Sequence, residues 1–425
     1  MAPSPTGKFH IGSARTALFS YLFAKHHEGK FILRIEDTDK ERSKPEFEEN
    51  IVESFKWLGL NHDEFYRQSE RTEIYKEHLK KLIESGDAYI SKEEPKEEGE
   101  RGEVIRFKNP NKKIKFTDVI LGEIEIDSTD LKDFVIAKDL ETPLYHLTVV
   151  VDDGLMSVTH VIRAQEHIAN TPRQILIMEA LGFQRPIYAH IPLVLAPDKT
   201  KLSKRHGATA LLDFRDMGYL PEAVINFLAF IGWNPGTDQE IFSLTDLIKE
   251  FSLEKVQTGG GVFNTEKLNW FNREYMKKMP EAKVLAEIKK YLDLPDDMIL
   301  RALPSIIERI SKFNDLSDTT EFGFYAAVPE YDGASLIWKK SDREKTLEHL
   351  EKAKELLSKS NFESADGIKV SVWDYAESVG KGDILWPLRY ALSGREKSPD
   401  PFTLAYIFGK DETLFRIQKA ISKLT

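Results

Sequence analysis

The sequence predicts an α/β N-terminal half with a small β-rich insertion, followed by an all-α C-terminal region. Three observations predict this. Helical and strand signals alternate over residues 1–86 and resume at about 141. Short β-rich runs crowd residues 87–140. Strand signals become rare after residue 215, and most of 281–425 reads as helix. Alternating strands and helices mark a parallel sheet covered by helices. At roughly 150 residues per domain, this length sets a prior of about three domains.

The elements follow in order. Ser13 to Phe23 places Ala14, Ala17, Leu18, Tyr21 and Leu22 at helical spacing. Phe31 to Ile35 is a short strand that runs into the acidic cluster Glu36-Asp37-Thr38-Asp39. Pro45 to Leu58 is a helix with proline in its first turn, and Arg71 to Glu84 is a second that stops at Gly86. Residues 92–101 mix acids, bases, proline and glycine, the composition of a solvated loop. Val104–Phe107, Val119–Leu121, Glu123–Ile126 and Phe134–Ile136 read as strands of the insertion. A strand is expected around Leu147–Val151, a helix over Thr171–Leu181 and a strand over Ile191–Leu195. Leu220–Ile231 and Leu244–Phe251 read as helices.

Composition narrows the functional classes. There is no cysteine, which excludes disulfides, thiol nucleophiles and thiolate zinc sites. No apolar run approaches the ~18 residues of a membrane span. No apolar stretch follows a basic start, so no secretory signal is read and a cytoplasmic home is expected. The net charge of −10 argues against indiscriminate coating of nucleic acid. It leaves room for a specific partner, because 60 basic residues can be sorted onto one face.

Two loops carry the chemistry. Pro3-Ser4-Pro5-Thr6-Gly7-Lys8-Phe9-His10-Ile11-Gly12-Ser13 is a stiffened loop that enters a helix. Gly7 and Gly12 allow close backbone approach, His10 offers an imidazole donor, and a helix start favours phosphate. Lys199-Thr200-Lys201-Leu202-Ser203-Lys204-Arg205-His206-Gly207 sets cations among small hydroxyls, a composition suited to clamping polyphosphate. Alone, the first is also an ordinary turn with an incidental histidine, and the second an ordinary solvated basic loop.

Together, His10-Ile11-Gly12-Ser13 and Lys201-Leu202-Ser203-Lys204-Arg205 resemble the paired signature of class I aminoacyl-tRNA synthetases. Further runs resemble the bacterial glutamyl-tRNA synthetase family. They are Ala2 to Gly7, Arg34-Ile35-Glu36-Asp37-Thr38-Asp39, Tyr145-His146-Leu147, Val151-Asp152-Asp153 and Val161-Ile162-Arg163. So are Thr171-Pro172-Arg173-Gln174, Gly232 to Gly236, Val262 to Trp270 and the tail from Leu388-Arg389.

The resemblance implies a Rossmann-like catalytic domain in two halves, 1–86 and 141–215. An acceptor-stem-binding unit would occupy 87–140, a helical linker 216–280 and a helical anticodon-binding region 281–425. The implied activity is ATP-dependent formation of glutamyl-adenylate and transfer of glutamate to the 3' end of tRNA(Glu). His10, Lys201 and Lys204 would be catalytic. ATP would contact His10, Gly12, Glu166, Lys201, Ser203 and Lys204, with His167 near the same pocket. For a glutamate substrate, Arg163 suits a carboxylate and Glu36 the ammonium, while Tyr145 and Ser4 add neutral hydrogen bonds. Mg²⁺ would accompany ATP, no structural zinc or other protein-held metal is expected, and a monomer is expected. Arg309, Lys312 and Arg389 are the tRNA-binding candidates by charge and place.

Three departures from the family pattern stand out. A first strand ending in a substrate-facing arginine would precede Ala2. The expectation is a start further upstream and an open slot in the sheet. Val149 stands where many members carry asparagine. The stretch after Ala88-Tyr89 lacks the cysteines that some relatives use for zinc. Competing readings are an enzyme that also charges tRNA(Gln), a glutaminyl-tRNA synthetase, a paralogue acting on a modified tRNA base, and an inactive tRNA-binding relative. The helical tail disfavours the second and third, and the intact ATP loops disfavour the last.

Overall fold

In the computed structural model, helix α1 (Ile11–His26) follows the opening loop and buries Ala14, Ala17, Leu18, Tyr21 and Leu22. The structure describes residues 1–93, 102–203, 205, 207, 209–339 and 341–425. Strand β1 (Ile32–Ile35), helix α2 (Pro45–Leu58), strand β2 (Glu64–Arg67) and helix α3 (Thr72–Glu84) come next, in the predicted order. Pro45 opens α2 because its missing N–H has no intrahelical partner in the first turn. Gly59 closes α2 at φ 67°, a left-handed position that suits glycine. β1 and β2 pair in parallel, with Ile32 opposite Glu64.

The insertion forms β3 (Ala88–Lys92), β4 (Glu103–Phe107), β5 (Lys113–Asp118), β6 (Gly122–Asp127) and β7 (Phe134–Asp139), and β8 (Thr142–Pro143) follows just beyond its expected end at 140. Its strands go to two sheets. β3-β4-β7-β8 is an antiparallel sheet of its own. The β5–β6 hairpin joins the main parallel sheet instead, with Asp118 of β5 opposite Tyr188. Val119–Leu121, expected as a strand, is the turn of that hairpin. Asp118 Oδ1 accepts the amides of Ile120 and Leu121, both at 3.0 Å, which bends the chain where apolar content alone suggested extension. Of the expected 92–101 loop, residues 94–101 lie outside the described residues.

The expected strand at Leu147–Val151 is instead part of helix α4 (Tyr145–Leu155). Leu147 through Asp153 are all buried, so the segment has no polar face to reveal a helical period. Strand β9 (His160–Ala164), unread in the sequence, follows, then helix α5 (Thr171–Ala180). The expected strand over Ile191–Leu195 is displaced. β10 covers Ile187–Ile191 and β11 only Val194–Leu195, and Pro192, without an N–H, falls in the break. β10 and β9 are parallel, with His190 opposite Arg163. Helices α6 (Leu211–Asp216), α7 (Pro221–Ala229) and α8 (Leu244–Glu250), strand β12 (Gly261–Val262) and helix α9 (Thr265–Lys277) complete this part.

The larger parallel strands thus fall into two pieces, β1-β2 and β6-β5-β10-β9, and the short β11 and β12 pair in parallel apart from both. The side of β1 away from β2, expected to stand open, is met by the start of the chain. Arg34 N–H donates to Met1 O and Glu36 N–H to Pro3 O, both at 3.0 Å. One continuous core packs Tyr75 and Leu79 of α3 with Phe107 and Ile136 of the insertion and with Val151 and Ile175 of α4 and α5. Each such apolar side chain contributes about 1.5–3 kcal/mol when fully buried.

Contacts divide the chain into two compact units, Met1–Phe271 and Asn272–Thr425. The second is helical: α10 (Glu281–Ile288), α11 (Asp296–Arg309), α12 (Thr319–Ala326), α13 (Arg343–Ser358), α14 (Ala365–Val379), α15 (Lys381–Ser393) and α16 (Pro401–Ser422, broken at Gly409). Buried Arg416 donates to Phe324 O at 2.8 Å and Leu392 O at 2.7 Å. One side chain thereby serves late carbonyls of both α12 and α15, groups that helices leave unpaired.

Candidate active site

A cavity of about 2020 Å³ lies within the first unit, above the roughly 300–1,000 Å³ of a single small-ligand pocket. Its lining takes Ile32, Arg34 and Glu36 from the β1 side and Val161, Ile162 and Arg163 from β9. Ser4, His10, Gly12, Tyr145, Glu166, His167, Lys201 and Ser203 line it too. Every catalytic, substrate and ATP candidate among the described residues therefore faces one space. Lys204 lies outside the described residues.

His10 sits at the N-terminus of α1 and caps it. Its Nδ1 accepts the Ser13 amide at 3.3 Å, which leaves Nε2 as the protonated nitrogen of the neutral ring, 3.1 Å from Ser13 Oγ. Burial, then nearby Lys201, lowers the imidazole pKa against the opposing pull of Glu166, so the neutral ring persists. Gly12 has a role beyond backbone approach. A Cβ there would lie 3.1 Å from His10 Cε1 and Nδ1.

Glu36 ends a buried charged chain. Arg34 donates to Glu36 Oε1 at 3.1 Å and to Asp153 Oδ1 at 2.8 Å, and its Nε lies 3.6 Å from Asp152 Oδ2. Asp152 also accepts from Gln68 at 2.9 Å, Arg71 at 2.7 Å and Tyr75 at 2.8 Å. Burial pushes the Glu36 carboxyl up to about 7 against Arg34, and Asp153 and Asp152 push the same way. A carboxylate raised this far is short of positive charge, and an incoming ammonium supplies it.

Arg163, on β9, is held by neutral acceptors. Its terminal nitrogens donate to Gln174 Oε1 at 2.8 Å and Thr171 Oγ1 at 2.7 Å, and its Nε to His190 Nε2 at 3.1 Å. Among the described residues no carboxylate pairs with it, so its charge remains available to an anion. Tyr145 is pushed up to about 12, by burial first and then by Glu36, and stays a neutral phenol. Val149 adds an apolar wall.

Lys201 Nζ is 2.6 Å from Glu166 Oε2, and this contact holds the Glu166 carboxyl below its usual range. Two ATP-pocket candidates thus engage each other. In the second unit, Arg309 pairs with Glu321, Lys312 pairs with Asp315 at 2.6 Å, and Arg389 donates to Glu396 O at 3.4 Å.

Sequence reasoning assigned no role to Arg34, Asp152, Asp153, Thr171 or Gln174, although all stood in the quoted motifs. Asp118 and His190 went unremarked. A histidine inside an otherwise apolar strand, Ile187–Ile191, was the one available signal. Among the described residues no helix is long and apolar enough to cross a membrane, and no group of three or more His, Cys, Asp or Glu is set to hold a metal.

Comparison with known proteins fits this geometry. The family described as tRNA synthetases class I (E and Q), catalytic domain, matches residues 1–102 and 90–270, and an anticodon binding domain matches 268–421. A glutamate–tRNA ligase of Aquifex aeolicus (strain VF5) is 40% identical, over 100% of this chain and 98% of its own. One from Desulforudis audaxviator (strain MP104C) is 37% identical, over 99% and 95%. A solved glutamate tRNA ligase from Elizabethkingia meningosepticum CCUG26117, in complex with its amino acid, superposes with a TM-score of 0.90. It is 34% identical and covers 100% of this chain and 99% of its own. An α/β catalytic part with a β-rich insertion, a helical C-terminal part and a cavity joining both signature loops agree with these matches from end to end, and the chain belongs to the glutamate–tRNA ligase family of class I aminoacyl-tRNA synthetases.

Proposed function

We propose that this chain activates L-glutamate with ATP and passes the glutamyl group to the 3' end of tRNA(Glu). The observation that carries the reading is the pairing of Glu36 and Arg163 in one cavity. Glu36 is a buried carboxylate short of positive charge, and Arg163 is a guanidinium whose partners among the described residues are neutral. An amino acid with an ammonium and a second carboxylate answers both. Ser4 and Tyr145 line the same space and add neutral donors.

The reaction needs no protein nucleophile. An oxygen of the glutamate α-carboxylate attacks the α-phosphorus of ATP, the bond to the β-phosphate oxygen breaks, and pyrophosphate leaves. The terminal ribose hydroxyl of tRNA then attacks the acyl carbon, loses its proton, and AMP leaves. His10 and Lys201 line the cavity, and with Lys204 of the same loop they would stabilise the phosphate charge that develops. Gly12 leaves room for the His10 ring, while Glu166 and Ser203 complete the ATP side. Mg²⁺ travels with ATP and neutralises its phosphates. Lys201 and the His10 Nε2 donor suit that complex.

Residues 87–140 would receive the acceptor stem, 216–280 link the parts, and 281–425 read the anticodon. Arg309, Lys312 and Arg389 would exchange their present partners for tRNA phosphates. The enzyme would act as a single chain in the cytoplasm. The test is ATP–pyrophosphate exchange with L-glutamate, with and without tRNA(Glu), followed by charging of tRNA(Glu) and tRNA(Gln). Exchange that depends on glutamate is expected. None in the presence of all three substrates would sink the reading, and charging of both tRNAs would identify the enzyme as one that does not discriminate.

A further inference from the structure

Beside Gln174 and Thr171, Arg163 is held by a histidine that is itself bonded to the insertion. His190 Nε2 lies 3.1 Å from Arg163 Nε, an atom that can only donate, so Nε2 must accept. A neutral imidazole accepting at Nε2 carries its proton on Nδ1, and Nδ1 lies 2.7 Å from Asp118 Oδ2. Asp118 Oδ2 also accepts the His190 backbone amide at 3.0 Å. Both side chains are fully buried. Asp118 terminates β5, the insertion strand that joins the main sheet beside β10.

We propose that Asp118 and His190 are positioning residues for substrate binding: Asp118 fixes the His190 tautomer, and His190 fixes the plane in which Arg163 presents its guanidinium to a substrate carboxylate. The proposal rests on the reading that Arg163 binds that carboxylate. Its logic is economy of charge. A carboxylate placed directly on Arg163 would bind it as tightly but would compete with the substrate. An imidazole between Asp118 and Arg163 passes on orientation and keeps the anion a ring's width away. Burial, opposed by Asp118, keeps His190 below the usual imidazole pKa, as an acceptor must be. Burial alone would raise the Asp118 carboxyl, but His190 and the two turn amides hold it below its usual range.

Steady-state charging of tRNA(Glu) by the full chain tests this with three variants. His190→Leu fills the space without an acceptor. It is expected to raise the glutamate KM about tenfold or more, the usual range for losing one hydrogen bond to a charged group, with the ATP KM little changed. His190→Gln carries a donor and an acceptor on one side chain and is expected to recover most of that loss. Arg163→Lys tests the underlying reading. If it leaves the glutamate KM unchanged, the Arg163 assignment fails. If Arg163→Lys raises the glutamate KM and His190→Leu does not, the positioning role alone fails. Equal rises in both KM values, or no recovery with His190→Gln, would also overturn it. Should His190→Leu not fold, ¹⁵N NMR of the imidazole in the unaltered protein decides. A protonated Nδ1 with bare Nε2 is expected, and the opposite tautomer or an imidazolium would overturn the proposal.

Discussion

Lys201 on the second signature loop and Glu166 beyond β9 form an ion pair at 2.6 Å, both largely exposed to the cavity they line. An exposed pair of this kind contributes little to stability, with a median of about 0–1 kcal/mol. Its loss to an arriving polyphosphate is therefore cheap, and the value of Lys201 lies in the charge it brings to the transition state. Lys201→Ala and Lys204→Ala should each slow activation by about 10²-fold or more and move the glutamate KM little. Pre-steady-state rates of pyrophosphate formation check this, and unchanged rates would remove the loop from catalysis.

The acid limb of activity should belong to Glu36. With its pKa raised to about 7, the carboxyl becomes protonated and neutral as pH falls through that value. The neutral acid no longer attracts an ammonium. The glutamate KM should then rise as pH falls, approaching about tenfold per unit well below pH 7. Glu36→Gln should have a high KM already and a flatter profile over the same range. A parent profile that is flat between about pH 8 and pH 6 would refute the assignment.

Removing Asp152 should unfold more than a contact. Its carboxylate serves Gln68, Arg71 and Tyr75, and lies against Arg34. Asp152→Ala leaves these groups buried without their acceptor, a loss of about 3–5 kcal/mol. In urea, the transition assigned to the 1–271 unit should move to lower denaturant, while that of 272–425 stays in place. Coincident transitions at the parent midpoint would show that the cluster is dispensable.

Gly12→Ala should injure chemistry without injuring the fold. The added methyl would press on the His10 ring at 3.1 Å, and that ring lines the cavity rather than the packed core. About a tenfold fall in pyrophosphate exchange is expected with little change in thermal midpoint, since a small misplacement of a catalytic group is costly. Retained activity would mean that the ring yields without consequence.

Local punctuation made parts of the fold legible. Pro45 and Gly59 bound one helix so clearly that Pro45–Leu58 was read to the residue. Leu147–Val151 failed for the opposite reason: total burial erased the period, and the β-branched run looked like a strand. Val119–Leu121 failed because the cause of its turn, the Asp118 carboxylate, was not weighed. In the site, His10, Glu36, Arg163 and Lys201 were reached through the resemblance of their motifs. Their supports were not, because near ones such as Arg34 and Thr171 reveal their partners only in the fold and others are distant in sequence. Arg34 meets Asp153 across 119 residues, and His190 meets Asp118 across 72.

The division of the parallel strands has a consequence for selectivity. Glu36 stands just beyond the end of β1 in one piece, and Arg163 lies within β9 in the other. Under the proposed roles, the amino acid is a crosspiece whose two ends rest on separately braced strands, one through Arg34 and the other through His190. Such a span acts as a gauge of length. Aspartate, one methylene shorter, would have to give up part of one contact to keep the other. Glutamine would bring a neutral amide to a guanidinium that has no anionic partner among the described residues. The separation of the two pieces, one of them edged by Met1 and Pro3, would thus be the scale against which the substrate is measured.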